Sequence, residues 1–459
     1  MALARIADRR RFWMWLSVWT AVGLGIRLAT VYGRPDRAPG GDPGYAHGVA
    51  TLLVAGKGFI NPLAYNYHNQ HLVLQTAGWP PLWTFVLTVP IFLGFHSFFA
   101  ARIWSCLIGA GAIVVCGLAG REIGGRRVGL IIALLIAVYP NIWMNVELGS
   151  SETLSPLLVA LILWTAYRFW HRPTAWNIAA LGASIGAGAL CRDEISLLFL
   201  FILVPVVLIL RSAPWRRRIA LVLVGGAMAG VVVMPWVGYN LSRFTDVVTI
   251  SDGLGPTLLS ANCNATYSGP AEGYWSATCL DPVHDNPDVD ESVNVAHDQA
   301  VAFKYIDAHE GRLPAVTLAR IGRGLGFFHP LEQIRLDAFV ETRPYHWALV
   351  GLGMYYGLLA LSVGGSIVLR RRKVLIFPLW AVLLDVLSVF VISFGQTRYR
   401  VTFEVSLVIL ASVQLDWFWT RLTSGRAGGR RRAGTLPVDD GADPGDLDPA
   451  LPTPVPVGA

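Results

Sequence analysis

The sequence predicts an all-α polytopic membrane protein with about ten transmembrane helices. The chain has 459 residues, of which 54% are hydrophobic and only 15% are charged, and its mean hydropathy is +0.50. A soluble protein of this length normally carries about 25% charged residues. The apolar residues come in uninterrupted blocks of about 20, which is the length that crosses a bilayer.

The net charge of +7 does not indicate nucleic-acid binding. The basic residues lie in short clusters between the apolar blocks, where the positive-inside rule places them on the cytoplasmic side. The abundance of alanine, glycine and proline is typical of a GC-rich bacterial genome. We therefore expect a multi-pass protein of the bacterial plasma (inner) membrane, with membrane lipids and no nucleic acid among its partners.

The arginine clusters determine the order of the predicted spans. Arg9, Arg10 and Arg11 precede the first apolar block, which is too long for a signal-peptide core and lacks a cleavage site, so we expect an uncleaved first span. Residues 81–95 are apolar but short and begin with two prolines, which predicts an interfacial or re-entrant helix. With both termini in the cytoplasm, the predicted spans are 12–31, 100–120, 128–146, 153–170, 175–190, 195–210, 219–239, 346–369, 374–394 and 401–420.

This topology divides the chain into four parts. The two long connections on the extracytoplasmic side are the first loop, residues 32–97, which we expect to carry the catalytic residue and interfacial helices, and a second loop of mixed polarity. The tail is rich in proline, aspartate and glycine, which predicts disorder. The parts are an N-terminal module of about seven spans at 1–240, the second loop at 241–345, three C-terminal spans at 346–420 and a cytoplasmic tail at 421–459.

The five cysteines fall into two groups. Cys106, Cys116 and Cys191 lie in or beside apolar blocks, where we expect unreactive thiols. Cys263 and Cys279 lie in the second loop. If that loop is extracytoplasmic, its oxidising compartment favours a disulfide worth about 3 kcal/mol, and two free thiols are the alternative.

The first loop contains an acidic residue on a backbone of glycine and proline, in the run Gly-Gly-Asp42-Pro-Gly-Tyr45. Asp42 has two interpretations, because an aspartate before Pro-Gly also initiates turns, whereas a carboxylate just outside the membrane is also a candidate general base. Further along the loop, His68 and His71 suggest a metal site, but no further ligand spacing supports it, and a polar loop surface is the favoured interpretation. The loop ends at Trp79 and two prolines.

Other charged residues collect at the same predicted face. At a helix centre such charges cost about 2.5–3.5 kcal/mol on insertion scales, so they usually pair, line a water-filled cavity or bind a charged ligand. Simpler interpretations remain open: Glu152 caps a helix, residues 192–194 neutralise one another, Arg27 extends to the interface, and Asp385 makes a packing hydrogen bond rather than carrying protons. The outer residues are Glu147, Glu152, Arg192, Asp193, Glu194, Arg398, Tyr399, Arg400 and Glu404.

This set of residues suits one chemistry well, the removal of a sugar from a lipid phosphate in the outer leaflet. Arginines would hold the phosphate and stabilise the charge that it gains as a leaving group. A carboxylate would accept the proton of the attacking hydroxyl. No P-loop or Rossmann glycine pattern follows a predicted strand, so no nucleotide is expected.

The order of motifs resembles that of integral-membrane glycosyltransferases of the GT-C class. The branch it resembles contains aminoarabinose transferases, protein O-mannosyltransferases and rhizobial lipopolysaccharide sugar transferases. The resemblance covers about residues 12–420 and rests on Gly41-Asp42 with Tyr45 to Phe59, Pro80-Pro81-Leu82-Trp83 before residues 101–105, Tyr139-Pro140 before Ser151-Glu152-Thr153, Pro235-Trp236 with Asn240, and Arg398-Tyr399-Arg400.

The resemblance implies a polyprenyl-phosphate sugar donor, inversion of the anomeric centre and Asp42 as the catalytic base. Glu152 joins Asp42 as a catalytic candidate. Two departures matter: Asp42 is followed by Pro43 where many relatives have Asp-Glu, and Gly78-Trp79-Pro80 replaces a Glu-Lys-Pro stretch whose lysine meets the lipid phosphate. The phosphate-binding cation must then come from elsewhere, and the candidates are Arg398 and Arg400, followed by Arg192 and Lys57. The expected cavity and acceptor residues are Tyr45, His71, Trp79, Glu147 and Tyr399.

Two other classes of function remain as alternatives. A flippase or transporter of lipid-linked sugars needs interfacial arginines too, but it should carry charges along the pathway at both membrane faces. A non-catalytic partner in cell-envelope glycan assembly would not need Asp42. The sugar, the acceptor (glycan, lipid or protein) and the need for a divalent metal are left open by the sequence.

Overall fold

The computed structural model describes residues 2–66, 72–280, 286 and 288–432, with side chains from residue 10 to residue 423 within those ranges. These residues form helices and no β-strand; one isolated bridge pairs Ile60 with Gln75. The first half contains α1 (Ala2–Tyr32), α2 (Gly41–Val54), α3 (Pro62–Asn66), α4 (Pro81–Phe92), α5 (Phe98–Gly124), α6 (Arg126–Val138), α7 (Pro140–Leu148), α8 (Ser155–His171), α9 (Ala175–Ala189), α10 (Val204–Leu208) and α11 (Trp215–Leu241).

The second half contains α12 (Leu254–Ala261), α13 (Asn264–Tyr267), α14 (Glu291–Ala308), α15 (Leu313–Gly324), α16 (Pro330–Val340), α17 (Tyr345–Arg371), α18 (Phe377–Ile392) and α19 (Val401–Arg432). Short 3₁₀ helices cover Ser151–Thr153, Asp193–Leu197, Ala277–Cys279, Glu310–Arg312 and Thr397–Arg400, and a π-helical turn covers Phe199–Leu203. The chain divides into two compact units, residues 1–416 and residues 417–459, and the described part of the second unit is helical.

The all-helical fold agrees with the sequence prediction, but the count of ten spans is not confirmed. Within the described residues, six helices are long and apolar enough to cross a membrane, or seven if the bent pair α6–α7 is one span. The predicted fifth and ninth spans are helices of only 15 and 16 residues, α9 and α18. The predicted sixth span is broken into a 3₁₀ helix, a π-helical turn and α10, which carries Pro205 in its first turn. α4 has 12 residues, about 18 Å, which is too short to cross.

A bend of 48° separates α6 from α7, at the start of which lies Pro140. Proline has no N–H to donate, so the carbonyl one turn earlier loses its helical partner. Arg27 of α1 supplies the replacement, because its guanidinium donates to the carbonyls of Ile136 at 3.2 Å and Ala137 at 3.4 Å. Arg27 is therefore buried as a structural donor and does not extend to an interface.

Small residues let neighbouring apolar helices approach closely. A Cβ at Gly182 of α9 would lie 2.0 Å from the carbonyl oxygen of Gly225 in α11, so only glycine fits at that crossing.

Asp385 of α18 is buried, and neither of its carboxyl oxygens has a hydrogen-bond partner among the described residues. The packing hydrogen bond predicted for Asp385 is therefore not formed.

The first loop and the second loop pack against each other at one end of the helices, which we call the loop side. Glu291, at the start of α14, accepts hydrogen bonds from the Ala77 N–H at 2.7 Å and the Thr76 hydroxyl at 2.9 Å. Arg37 of the first loop donates to the carbonyl of Glu341 at 2.7 Å. α17 begins at the end of the second loop and runs for 27 residues, about 40 Å, so its arginine-rich last turn lies far from the loop side. The two loops thus form one layer over the loop side.

Candidate active site

A cavity of about 520 Å³ opens on the loop side. Both loops and several helix ends contribute to its wall, so residues far apart in sequence meet there. Four carboxylates and two arginines line it. The lining residues lie within 42–46, 78–84, 150–152, 191–197, 249–257, 388–393 and 398–399.

Asp42 lies in the first turn of α2 and faces this cavity. The helix begins at Gly41, whose φ of +56° lies in the left-handed region that glycine tolerates. The Asp42 Oδ2 atom lies 2.8 Å from Nη1 of Arg398, and 39% of the Asp42 side chain is exposed. Asp42 is therefore paired with an arginine and still open to the cavity.

Arg398 lies in the 3₁₀ helix before α19 and is surrounded by three carboxylates. Asp42 faces its Nη1 atom, and the other two face its Nε atom, which lies 3.6 Å from Glu152 Oε1 and 3.5 Å from Glu341 Oε1. The Nε–H itself makes no hydrogen bond to the described residues. The Arg398 guanidinium thus lies in a strongly negative environment with part of its donor capacity unused.

Glu341 reaches this site from the end of α16, and nothing in the local sequence indicated it. Its Oε1 accepts a hydrogen bond from Gln396 at 2.6 Å, and its Oε2 pairs with Arg343. Burial raises the pKa of Glu341, although Arg343 and Arg398 oppose that effect. The second loop therefore contributes a carboxylate to the surroundings of Arg398.

Glu152 and Arg192 form the second ion pair of the cavity. Arg192 Nη1 lies 2.8 Å from Glu152 Oε1, and Arg192 Nε lies 2.5 Å from Glu194 Oε1. The ring of Tyr399 lies under both guanidinium groups, 4.8 Å from that of Arg192 and 5.2 Å from that of Arg398. Two arginines and one tyrosine therefore form a continuous cationic and aromatic wall.

Asp193 also lines the cavity, although the sequence analysis treated it only as part of a self-neutralising link. The Ser251 hydroxyl donates to its Oδ2 atom, whereas its Oδ1 atom is buried with no partner in the described part of the chain. Burial raises the pKa of Asp193 to about 7. Arg192 pairs with Glu152 and Glu194 and forms no ion pair with Asp193, so within residues 192–194 only Arg192 and Glu194 pair with each other.

Two of the predicted residues lie in other charge clusters and do not line the cavity. Glu147 is buried and pairs with Arg34 and Arg37, whose Nη1 atoms each lie 3.1 Å from its Oε1 atom. Arg400 is buried against Glu404, with 2.7 Å between Nε and Oε1, and stacks on the ring of Tyr355 at 3.6 Å.

The remaining predicted residues differ in position. Trp79 lines the cavity with 42% of its surface exposed, and its ring packs on that of Tyr45 at 4.3 Å. Tyr45 lies behind Trp79, where its hydroxyl donates to Thr76 at 2.8 Å. Lys57 is exposed after the end of α2 and does not line the cavity. His71 lies outside the described residues, as does His68.

The disulfide loop supports the chain just before Arg398. Cys263 and Cys279 are joined, with 5.7 Å between their Cα atoms. Within the loop that they close, the Gly273 carbonyl accepts a hydrogen bond from the Gly395 N–H at 2.9 Å, and the Tyr274 hydroxyl accepts one from Gln396 at 3.3 Å. In the described ranges as a whole, the cavity included, no group of three or more His, Cys, Asp or Glu side chains is placed to hold a metal ion.

The comparisons with known proteins agree with this architecture. Residues 79–239, about a third of the chain, match the model of a family described as dolichyl-phosphate-mannose-protein mannosyltransferase. No curated protein matches the chain in sequence.

Solved structures of archaeal oligosaccharyltransferases share the fold. The enzyme AglB from Archaeoglobus fulgidus, in complex with an inhibitory peptide and a dolichol-phosphate, aligns with a TM-score of 0.56 at 15% identity, over 94% of this chain and 53% of that one. The same organism's enzyme tethered to an acceptor peptide gives 0.55 at 16% identity, over 91% and 50%. The chain thus spans about half the length of these structures.

An ArnT structure from Cupriavidus metallidurans bound to undecaprenyl phosphate gives a TM-score of only 0.39, at 15% identity over 87% of this chain and 77% of that one. That score is too low to show a shared fold. The family model and the archaeal structures confirm the predicted resemblance to GT-C-class membrane glycosyltransferases.

Proposed function

We propose that this protein is a membrane glycosyltransferase that moves a sugar from a polyprenyl-phosphate donor to a hydroxyl group of an extracytoplasmic acceptor, with inversion of the anomeric centre. One observation carries the proposal. Asp42 and Arg398, a candidate base and a candidate phosphate-binding group, lie 2.8 Å apart on the wall of one cavity of about 520 Å³.

The reaction needs one group at the attacking hydroxyl and another at the departing phosphate. The oxygen of the acceptor hydroxyl attacks the anomeric carbon while the bond from that carbon to the phosphate oxygen breaks, and the bonding electrons leave with the phosphate. Asp42 takes the proton of the hydroxyl. Arg398 stabilises the charge that develops on the phosphate, in a cavity where such interactions are stronger than in water.

The donor phosphate must compete with carboxylates for Arg398. Asp42, the most exposed of the three, makes the shortest contact with the guanidinium. A phosphate that replaces Asp42 on Nη1 would free the carboxylate to face the acceptor. Glu152, which we predicted to be catalytic, pairs with Arg192 and Arg398, and we assign to it the role of holding these arginines in place.

The comparisons support a lipid-phosphate donor. The description of the matched family names dolichyl-phosphate mannose, and one structure of similar fold holds a dolichol-phosphate. The arginine-rich last turns of α8 and α17, which the positive-inside rule places in the cytoplasm, do not line the cavity. The cavity would then face the extracytoplasmic side of a bacterial inner membrane, where the sugar of such a donor is accessible.

Lipid analysis combined with reconstitution tests this function. Cells that lack the protein should accumulate one polyprenyl-phosphate sugar, and the purified full chain in lipid nanodiscs, supplied with that lipid and a membrane extract as acceptor, should release free polyprenyl phosphate. A transporter would leave the bond between sugar and phosphate intact. An intact donor after incubation, despite tight binding, would therefore rule out the enzyme and favour transport. No binding and no accumulation would favour the non-catalytic partner.

A further inference from the structure

We propose that Asp193, held in place by Ser251, binds hydroxyl groups of the donor sugar and determines which sugar the site accepts. This inference rests on the proposed function, because it divides the same cavity into a phosphate region around Arg398 and a sugar region around Asp193. A neutral sugar with free hydroxyl groups is the ligand class that this second region fits.

One carboxyl oxygen of Asp193 is an unused hydrogen-bond acceptor. Asp193 has one oxygen bonded to Ser251 and another that is buried without a partner. No described arginine, lysine or histidine forms an ion pair with it, since the neighbouring Arg192 is paired with Glu152 and Glu194. Other buried polar atoms also lack a partner, among them both carboxyl oxygens of Asp385, but Asp193 differs from Asp385 in lining the cavity. A bound hydroxyl group would satisfy it.

The cavity wall around Asp193 contains the types of side chain that bind sugars. Carboxylates and hydroxyl groups bind sugar hydroxyls, which both donate and accept, and an aromatic face packs on the C–H face of a sugar ring. Trp79 provides the exposed aromatic ring. Hydroxyl-bearing residues line the same cavity at Ser150, Ser151, Ser196, Thr249, Ser251, Thr257, Ser388 and Ser393.

Two side chains of α11 fix the backbone next to Ser251 in position. The indole of Trp236 donates to the carbonyl of Ile250 at 2.7 Å, and the amide of Asn240 donates to the carbonyl of Thr249 at 2.8 Å. Trp236 and Asn240 are both buried. No role was assigned from the sequence to the Pro235-Trp236 motif and Asn240. The structure shows that Trp236 and Asn240 position the segment that holds Asp193.

Binding measurements on the full chain in nanodiscs test the sugar region separately from the phosphate region. The probes are undecaprenyl phosphate alone and undecaprenyl phosphate linked to glucose, mannose, galactose or arabinose. We expect the unaltered chain to bind one of these sugars at least tenfold more tightly than the others. When Asp193 is ionised, at a pH above its pKa of about 7, a hydrogen bond to its charged carboxylate is worth about 1.5–3 kcal/mol, or about tenfold to a hundredfold in affinity. Asp193→Ala and Ser251→Ala should therefore abolish the preference and leave the affinity for undecaprenyl phosphate alone unchanged.

Two further variants guard against a folding effect. Asp193→Asn keeps the size of the side chain and should give an intermediate preference. Asp246→Asn changes an exposed aspartate of the same segment, outside the cavity lining, and should change nothing. A preference that survives in Asp193→Ala, or equal binding of all five probes by the unaltered chain, would overturn the sugar region. If the unaltered chain bound none of the probes, the proposed function itself would fail, and this inference with it.

Discussion

Two arginine–carboxylate pairs lie beside each other at the start of α19, and their surroundings differ. In the open pair, Arg398 and Asp42, 19% and 39% of the side chains are exposed, and both residues line the cavity. In the closed pair, Arg400 and Glu404, 2% and 1% are exposed. The open pair can exchange its carboxylate for a ligand, whereas the closed pair can only hold the fold together.

The backbone explains why residues so close in sequence differ. Arg398 and Arg400 belong to a 3₁₀ helix, Thr397–Arg400, in which residues two apart point to different sides. The closed pair also has further protein partners: Arg400 donates to the Gly324 carbonyl at 3.1 Å, and Asn141 donates to Glu404 Oε1 at 3.0 Å. Our proposal therefore leaves Arg400 out of the phosphate site.

The largest effect should come from the carboxylate of the open pair. Asp42→Asn should lower the transfer rate by about 10²–10⁴-fold, because the acceptor hydroxyl loses its base. Folding should be unaffected, since Asp42 is the most exposed member of the two pairs. The measurement is turnover of the lipid-linked sugar by purified protein, with Asp36→Asn as the control in the same loop, where Asp36 is exposed. Near-normal turnover in Asp42→Asn would contradict the role of base.

The arginine of the closed pair should matter for stability. Arg400→Met leaves Glu404 as a buried charge without its cation and should lower the free energy of unfolding by about 3–5 kcal/mol. The double variant Arg400→Met with Glu404→Gln removes that charge and keeps an acceptor for Asn141, so it should recover most of the loss. Thermal unfolding in detergent measures both effects. If the single variant were fully stable but failed to bind undecaprenyl phosphate, Arg400 would belong to the ligand site after all.

The arginine of the open pair should show the reverse pattern. Arg398→Ala should lower turnover by about 10²–10³-fold through loss of one donor to the phosphate. Its stability should fall less than that of Arg400→Met, because Glu341 keeps Arg343 and Glu152 keeps Arg192 as partners. Binding of undecaprenyl phosphate and unfolding temperature are measured on the same samples, with Arg398→Lys expected to retain part of the binding. An unchanged affinity in Arg398→Ala would remove it from the phosphate site.

The sequence predicted the helical fold and named Asp42 and Arg398 as site residues, but it did not distinguish Arg398 from Arg400. The uninterrupted apolar blocks and the arginine clusters were enough to indicate an all-helical membrane protein. The number of spans was harder to predict, because α9 and α18 are short and Pro205 follows a π-helical turn. Hydropathy reports how apolar a segment is, and it does not report where its helix breaks.

For the candidate site, the sequence indicated the residues that lie next to predicted spans. Asp42, Glu152, Arg192, Arg398 and Tyr399 were all named, and they line one cavity. Glu341 was missed because only the packing of the second loop brings it to Arg398, and no local pattern distinguishes it from other charged residues of that loop. Arg400 was assigned to the phosphate site because its direction depends on a 3₁₀ turn that the sequence does not reveal.

The smallest difference that we expect concerns pH and the wall of the open cavity. Glu291 holds the backbone before Trp79, and burial raises its pKa from 4.5 to about 7. Between these two pKa values the folded chain binds a proton that the unfolded chain has already released. The stabilising contribution of protonated Glu291 is therefore complete below pH 4.5 and is lost as the pH rises towards 7. We expect a loss on the order of 1–2 kcal/mol after allowing for partial exposure. Glu291→Gln should reduce the pH slope of the unfolding free energy by this amount, leaving the part that Asp193 contributes, whereas Glu310→Gln, an exposed position of the same loop, should retain the full slope. An identical pH slope in Glu291→Gln would show that this carboxyl group does not carry the pH dependence, which would then belong to another buried acid of the cavity wall such as Asp193.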